Sequence, residues 1–149
     1  MACRLLSILS VASLAILSSC GGGSPAAPTP PPTVVKGLLT VSVLSAYGTR
    51  ENNGVKLHVT VRYVETAGGS TTLTKVEFTV KQNGVAGTTY ESNESHIIGA
   101  RGSLEIEYTT DEATNDPYPT SVDVTATYTD STGALKSATA SGTFTALLG

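Results

Sequence analysis

Cysteine is nearly absent from this 149-residue chain: Cys3 and Cys20 are the only two, and both lie in the first twenty positions. Residues 21–149 thus hold no disulfide, no thiolate nucleophile and no cysteine metal ligand, which removes several enzyme classes at once. Tryptophan is missing, and charged residues make up only 14% of the chain, with a net charge of −3. A polyanion-binding module carries a basic stripe that displaces counterions, so no nucleic-acid partner is expected. No apolar run reaches the roughly 20 residues that a membrane-spanning helix needs. A chain of 149 residues has room for one modest core, and one domain is the natural expectation.

What is present changes character along the chain. Arg4 and the amino terminus precede an uncharged, mostly apolar run from Leu5 to Leu17, the basic and apolar regions of a secretory signal. Leu17, Ser18, Ser19 and Cys20 close it. This tetrad resembles the lipobox of bacterial lipoproteins. The resemblance covers residues 1–20. It implies that residues 1–19 are a signal peptide, removed together with Cys3, and that the Cys20 thiol carries a diacylglyceryl group. The new amino terminus would be acylated as well. Only a sulfur nucleophile at the cleavage junction can take the lipid, and the small Ser18 and Ser19 fit a narrow peptidase site. Several acyl chains hold a protein at a membrane essentially permanently, whereas one binds reversibly. Gly21 stands where an aspartate retains such proteins in the inner membrane of enteric bacteria, so the resemblance implies an outer-membrane destination in the cell envelope.

Residues 20–33 form the lipidated cysteine and a linker. Gly21, Gly22, Gly23 and Ser24 give a flexible start, and Pro25, Pro28, Pro30, Pro31 and Pro32 favour extended polyproline II. Pro28–Pro31 also spell a P-x-x-P recognition pattern, but a tether beside a lipid anchor accounts for this composition without a partner.

From Val34 onward the usage turns to β structure, with 21 threonines between positions 34 and 149. Threonine and valine are stiff at χ1 and suit a pleated, half-buried surface. Val55, Leu57, Val59, Val61 and Tyr63 alternate with Lys56, His58, Thr60 and Arg62, which predicts a strand with one dry face. Val76, Phe78 and Val80 alternate likewise between Lys75 and Lys81; Leu73 is out of phase, so a bulge or edge contact is expected there. Leu104, Ile106 and Tyr108 predict another strand, as do Val122, Val124, Ala126 and Tyr128. Weaker signals mark Leu39–Val43, Val85–Tyr90 and a terminal run in which Ala138, Ala140 and Phe144 share a face. Asn52-Asn53-Gly54, Gly68-Gly69, Asn83-Gly84 and Asp130–Gly133 supply turn chemistry, with Asn83-Gly84 the clearest hairpin.

About seven short strands with turn signals near every tenth residue, and no helical period, predict an all-β, antiparallel sandwich over residues 34–149. This region resembles immunoglobulin-like or fibronectin type III-like domains of bacterial surface proteins, the segment Val122–Gly133 resembling their last hairpin. It lacks the buried cysteine pair and core tryptophan of antibody-type domains, and Tyr118 is a loose candidate for the corner tyrosine.

Reactive chemistry is sparse. His58 lies on the polar face of the clearest strand, where an exposed imidazole is the plain reading. His96 lies in the polar stretch Glu91–His96, read as a loop, and no nucleophile elbow frames a nearby serine. No catalytic residue and no cofactor is expected. Asp111, Glu112, Asn115 and Asp116, with Glu91 and Glu94, gather oxygens that calcium takes, but their spacing is not that of an EF-hand and the same residues are ordinary turn formers. The expectation is a non-enzymatic, lipid-anchored envelope protein, joined to the membrane through Cys20, whose domain contacts a protein or glycan. Polar segments 91–103 and 111–120 are the candidate contact loops. The competing expectation is assembly by strand addition at the terminal run Ala134–Thr145, whose only charge is Lys136.

Overall fold

The computed structural model describes residues 28–51, 54–110, 118–145 and 147–148, the side chain of Glu94 excepted. The chain divides into two units, Met1–Pro31 and Pro32–Gly149. Cys3, the run 5–17 and the tetrad 17–20 lie outside the described residues.

The second unit is built from strands: β1 (Leu39–Glu51), β2 (Gly54–Glu65), β3 (Thr71–Gln82), β4 (Val85–Ile98), β5 (Ser103–Thr109), β6 (Ser121–Asp130), β7 (Leu135–Thr143) and the two-residue β8 (Leu147–Leu148). They form two four-stranded sheets, β5-β2-β1-β8 and β4-β3-β6-β7. All long pairings are antiparallel. A fully antiparallel fold of seven strands is corrected at one point: β8 lies parallel to β1, with Gly48 opposite Leu147 and Thr49 opposite Leu148. The reason lies in the chain's route after β7. Phe144 N donates to Thr120 O and Thr145 N to Ala46 O, so the last strand leaves β6 and crosses to β1.

The core follows the predicted alternation. Val61, Tyr63, Leu73, Val76, Val122 and Val124 are fully buried, and inward residues of both sheets meet in one cluster. Each such side chain contributes roughly 1.5–3 kcal/mol by leaving water. Pairing of β3 with β6 shifts between Leu73 and Lys75, leaving Thr74 as the extra residue; this is the bulge that Leu73's phase required. A second bulge, at Leu44 in β1, turns that leucine outward to 48% exposure. Asn83 and Gly84 have φ of 49° and 82°, positive at both positions as a two-residue hairpin turn demands.

Two elements are longer than the sequence signals. β1 continues past Val43 to Glu51, its alternation interrupted by the Leu44 bulge. β4 runs from Val85 to Ile98, so the stretch Glu91–His96 is strand and not loop, with His96 opposite Leu73. As a sheet's outermost strand, β4 pairs on one side only and tolerates the polar sequence that hid it.

One end of the sandwich is organised by buried carboxylates. Glu65 is 1% exposed, and its oxygens accept N–H bonds from Leu38 at 3.0 Å, Ala67 at 2.9 Å, Gly68 at 2.9 Å and Arg101 at 2.8 Å. Burial pushes the carboxyl upward, but these donors together outweigh it and hold its pKa at about 2. Asp130 caps the β6–β7 turn, accepting from Thr132 N and Ala134 N and pairing with Lys136 at 2.8 Å. The Lys136 ammonium first, then the Thr132 hydroxyl, hold Asp130 well below the usual carboxylate range.

Candidate functional site

The two long sides of the sandwich differ. On one, β1 and β7 lie against each other: a Cβ at Gly142 would fall 2.5 Å from Val43 Cγ1, so only a hydrogen there lets the strands approach. On the other, β5 and β4 end their sheets, and a crevice of about 220 Å³ opens between them. Leu57, Val59, Phe78 and Val80 line its depth, and Tyr90 and Tyr108 flank it, with Glu91 and Thr109 among its polar residues. The Phe78 and Tyr108 rings meet at 4.5 Å, and Tyr108 Oη lies 2.9 Å from Tyr63 Oη, so the aromatic wall is fixed from within. Glu91 pairs with Lys75 at 2.8 Å, and Lys75 reaches Glu77 at 3.2 Å as well. The Glu91 carboxylate first, then Glu77, raise the Lys75 pKa.

β5 joins this crevice to a polar cluster on the outer face of its sheet. Successive strand residues point to opposite faces, so Leu104, Ile106 and Tyr108 turn inward while Glu105 and Glu107 turn outward. Register places Tyr47 of β1 and Thr109 of β5 on either side of His58 of β2. The Tyr47 and His58 rings stack, parallel to within 1°, with centroids 4.7 Å apart. Glu107 Oε1 is 3.1 Å from both His58 Nδ1 and the Tyr47 hydroxyl. Facing a carboxylate, Nδ1 is the donor; Nε2, 3.1 Å from Thr49 Oγ1, then accepts from that hydroxyl in the neutral ring. The bond to Glu107 raises the Tyr47 pKa. Arg62 and Glu105 form a further cross-strand pair at 3.2 Å.

Hydroxyl, imidazole and carboxylate thus stand in the order of a nucleophile relay. They do so on the outer pleat, however, and none of Thr49, His58 and Glu107 lines the crevice. Sequence alternation placed His58 on the polar face but with an exposed imidazole, which the structure corrects: its side chain is only 17% exposed, covered by partners that include Thr49 and Glu107, 9 and 49 positions away and without local signal.

Other sequence candidates fall as follows. Asp111, Glu112, Asn115 and Asp116 lie outside the described residues. Among the described residues no group of three or more His, Cys, Asp or Glu could hold a metal ion. Tyr118 is half-buried beside Phe144, with ring centroids 5.7 Å apart; burial raises its pKa. Its hydroxyl donates to Thr145 O at 2.9 Å, 27 positions downstream, whereas a corner tyrosine bonds backbone a few residues upstream. The terminal run contains β7, an outermost strand by pairing, whose Gly142 packs on Val43 of β1.

No protein-family model matches the chain, and no curated protein does. Among solved structures it is similar to a structural-genomics X-ray structure, Northeast Structural Genomics Consortium target SoR45. Identity is 9%, coverage 71% of this chain and 81% of that one, and the TM-score 0.50, a likeness of fold alone. It is also similar to part of Pseudomonas fluorescens alkylpurine DNA glycosylase AlkC bound to DNA containing an abasic site analog. There identity is 15%, coverage 72% of this chain and 30% of that one, and the TM-score 0.39.

Proposed function

We propose that this chain is a lipid-anchored protein of the bacterial cell envelope, held in the outer membrane through Cys20, whose immunoglobulin-like or fibronectin type III-like domain makes non-enzymatic contact with another macromolecule. The observation that carries the contact role is the open β4–β5 side, where an apolar crevice adjoins two strand edges. The strand order supports the domain assignment. An immunoglobulin constant-type domain places its first, second and fifth strands in one sheet and its third, sixth and seventh in the other. β1, β2, β5 and β3, β6, β7 take those places, and β4 pairs with β3 instead of β5. The separation of the Thr49–His58–Glu107 line from the crevice supports a contact role over catalysis, since a nucleophile needs a bound substrate and anion-stabilising donors beside it.

Replacing Cys20 with alanine is expected to move the chain from the membrane fraction to the soluble fraction. Unchanged partition would refute the anchor. Stoichiometric labelling of Thr49 by a fluorophosphonate would refute the non-catalytic reading.

A further inference from the structure

Antiparallel pairing brings four connections to one end of the sandwich: residues 34–38 lead into β1, 66–70 join β2 to β3, 99–102 join β4 to β5, and 131–134 join β6 to β7. They are tied together. Leu38 and Arg101 both donate backbone N–H to Glu65, Ser131 Oγ donates to Val35 O, and a Cβ on Gly68 would fall 3.9 Å from Val35 Cγ1 and 3.8 Å from Arg101 Nε. Two properties set this fixed surface apart. It is apolar, with Val34, Val35, Leu38, Ile97 and Leu135 all exposed. Register sets Ile97, Thr72, Thr129 and Leu135 in one row across the sheet, and because Thr71 and Asp130 of the next row are buried, alternation turns this row to solvent. The charge it offers is also of one sign. Lys36 and Arg101 are the only charged residues in the four connections; both are exposed, and no ion pair among the described residues engages either. The buried acids of this end are satisfied within it, Glu65 by backbone N–H groups and Asp130 by Lys136.

We propose that this end of the domain docks on an anionic lipid surface, its exposed apolar side chains entering the headgroup boundary while Lys36 and Arg101 meet lipid phosphates. The inference rests on the Cys20 anchor proposed above and gives the anchored domain an orientation. Cys20 precedes Val34 by fourteen positions, at most about 50 Å of extended chain, and that chain joins the domain at this end. A lipid on Cys20 therefore holds the face at high effective concentration over the bilayer, where a patch too small to bind unaided suffices. Each basic residue near an anionic leaflet adds attraction. The acids Asp111, Glu112 and Asp116 fall in the β5–β6 connection, which is not one of the four. Two copies of this chain meeting through the same face would set cations against cations, and such like-charge contact is unfavourable.

The chain has no tryptophan, so one introduced by Leu135→Trp or Ile97→Trp reports on this face, and Val85→Trp, at the β3–β4 turn of the other end, is the control. All three positions are exposed, and a urea midpoint like the parent's shows that each variant keeps its fold. The full chains are reconstituted into vesicles of equal parts phosphatidylcholine and phosphatidylglycerol, with and without brominated acyl chains. Emission from positions 135 and 97 is expected to shift to the blue and to be quenched by bromine, and emission from position 85 to stay solvent-like. Adding Lys36→Gln/Arg101→Gln is expected to lower the docked-to-undocked ratio by about tenfold or more, two cations being lost. Equal quenching at all three positions, or solvent-like emission at 135 and 97, would overturn the inference. So would a blue shift there without quenching, since a second copy and not lipid would then cover the face. Chains that float with the vesicles while these tryptophans stay solvent-like refute the docking alone; chains that fail to float refute the anchor and the docking with it.

Discussion

Glu65 gives the sharpest perturbation. Its carboxylate, buried at 1% exposure, joins three stretches of backbone: Leu38 before β1, Ala67 and Gly68 after β2, and Arg101 before β5. Glutamine has the same shape but brings an amide that faces N–H groups with N–H groups. At least one buried donor then loses its acceptor, at about 1–3 kcal/mol, and the surviving bonds lose their charge assistance. Glu65→Gln is therefore expected to cost about 3 kcal/mol at neutral pH, a drop in Tm of more than roughly 10 °C for a domain of this size. The pH dependence has a definite sign. The folded pKa of about 2 lies below the ordinary value of 4.5, so the stabilisation is complete above that ordinary value and is lost as pH falls through the folded one. Urea midpoints of parent and variant should differ most at pH 7 and converge between about pH 4.5 and pH 2. A gap that is small at pH 7, or that persists unchanged into acid, would refute the reasoning.

Two further perturbations test the packing. Gly142→Val drives carbon into Val43, whose Cγ1 and Cβ lie 2.5 and 2.9 Å from the position of a Cβ. It should destabilise by about 1–3 kcal/mol, with recovery in a Val43→Ala background; an unshifted urea midpoint would show that β1 and β7 are not tightly apposed. A double-mutant cycle with Tyr47→Ala and His58→Ala should give a coupling of roughly 0.5–1 kcal/mol for the stacked pair, and additive effects would deny the stack.

Legibility in the sequence followed how regularly a strand's residues alternate between core and solvent: outermost β5 keeps that alternation, whereas β1, paired on both sides, is interrupted at Leu44. Central strands β2 and β6, covered on one face and paired on both sides, kept strict alternation, and even the Thr74 bulge was announced by Leu73 standing out of phase. The outermost β4 lost its alternation because much of its surface is exposed: Val85 is 70% and Ile97 is 78% exposed, so Glu91–His96 read as a loop. The crevice had no local signal, because Leu57, Phe78 and Tyr108 were legible only as core. Their meeting at an open side depends on β4 leaving β5's sheet for β3, a choice made by pairing between distant segments.

The carboxylates show a second division, between elements and their connections. Apolar alternation fixes which faces of β1 to β7 meet, but it says nothing about how chain enters β1, turns after β2 or reaches β5. Those connections carry backbone N–H groups that cannot be left unpaired when buried. Here two acids satisfy them: Glu65 for the 38, 67–68 and 101 positions, Asp130 for 132 and 134. The segment before β1 is tied in from both directions, since Ser131 Oγ donates to Val35 O and Lys136 Nζ reaches Gly37 O at 3.4 Å. Both acids are depressed in pKa by what they hold, so protonation in strong acid withdraws each of them. Acid should therefore loosen this end of the sandwich before it disturbs strands held by Val61, Val76 and Val124, whose burial does not depend on pH.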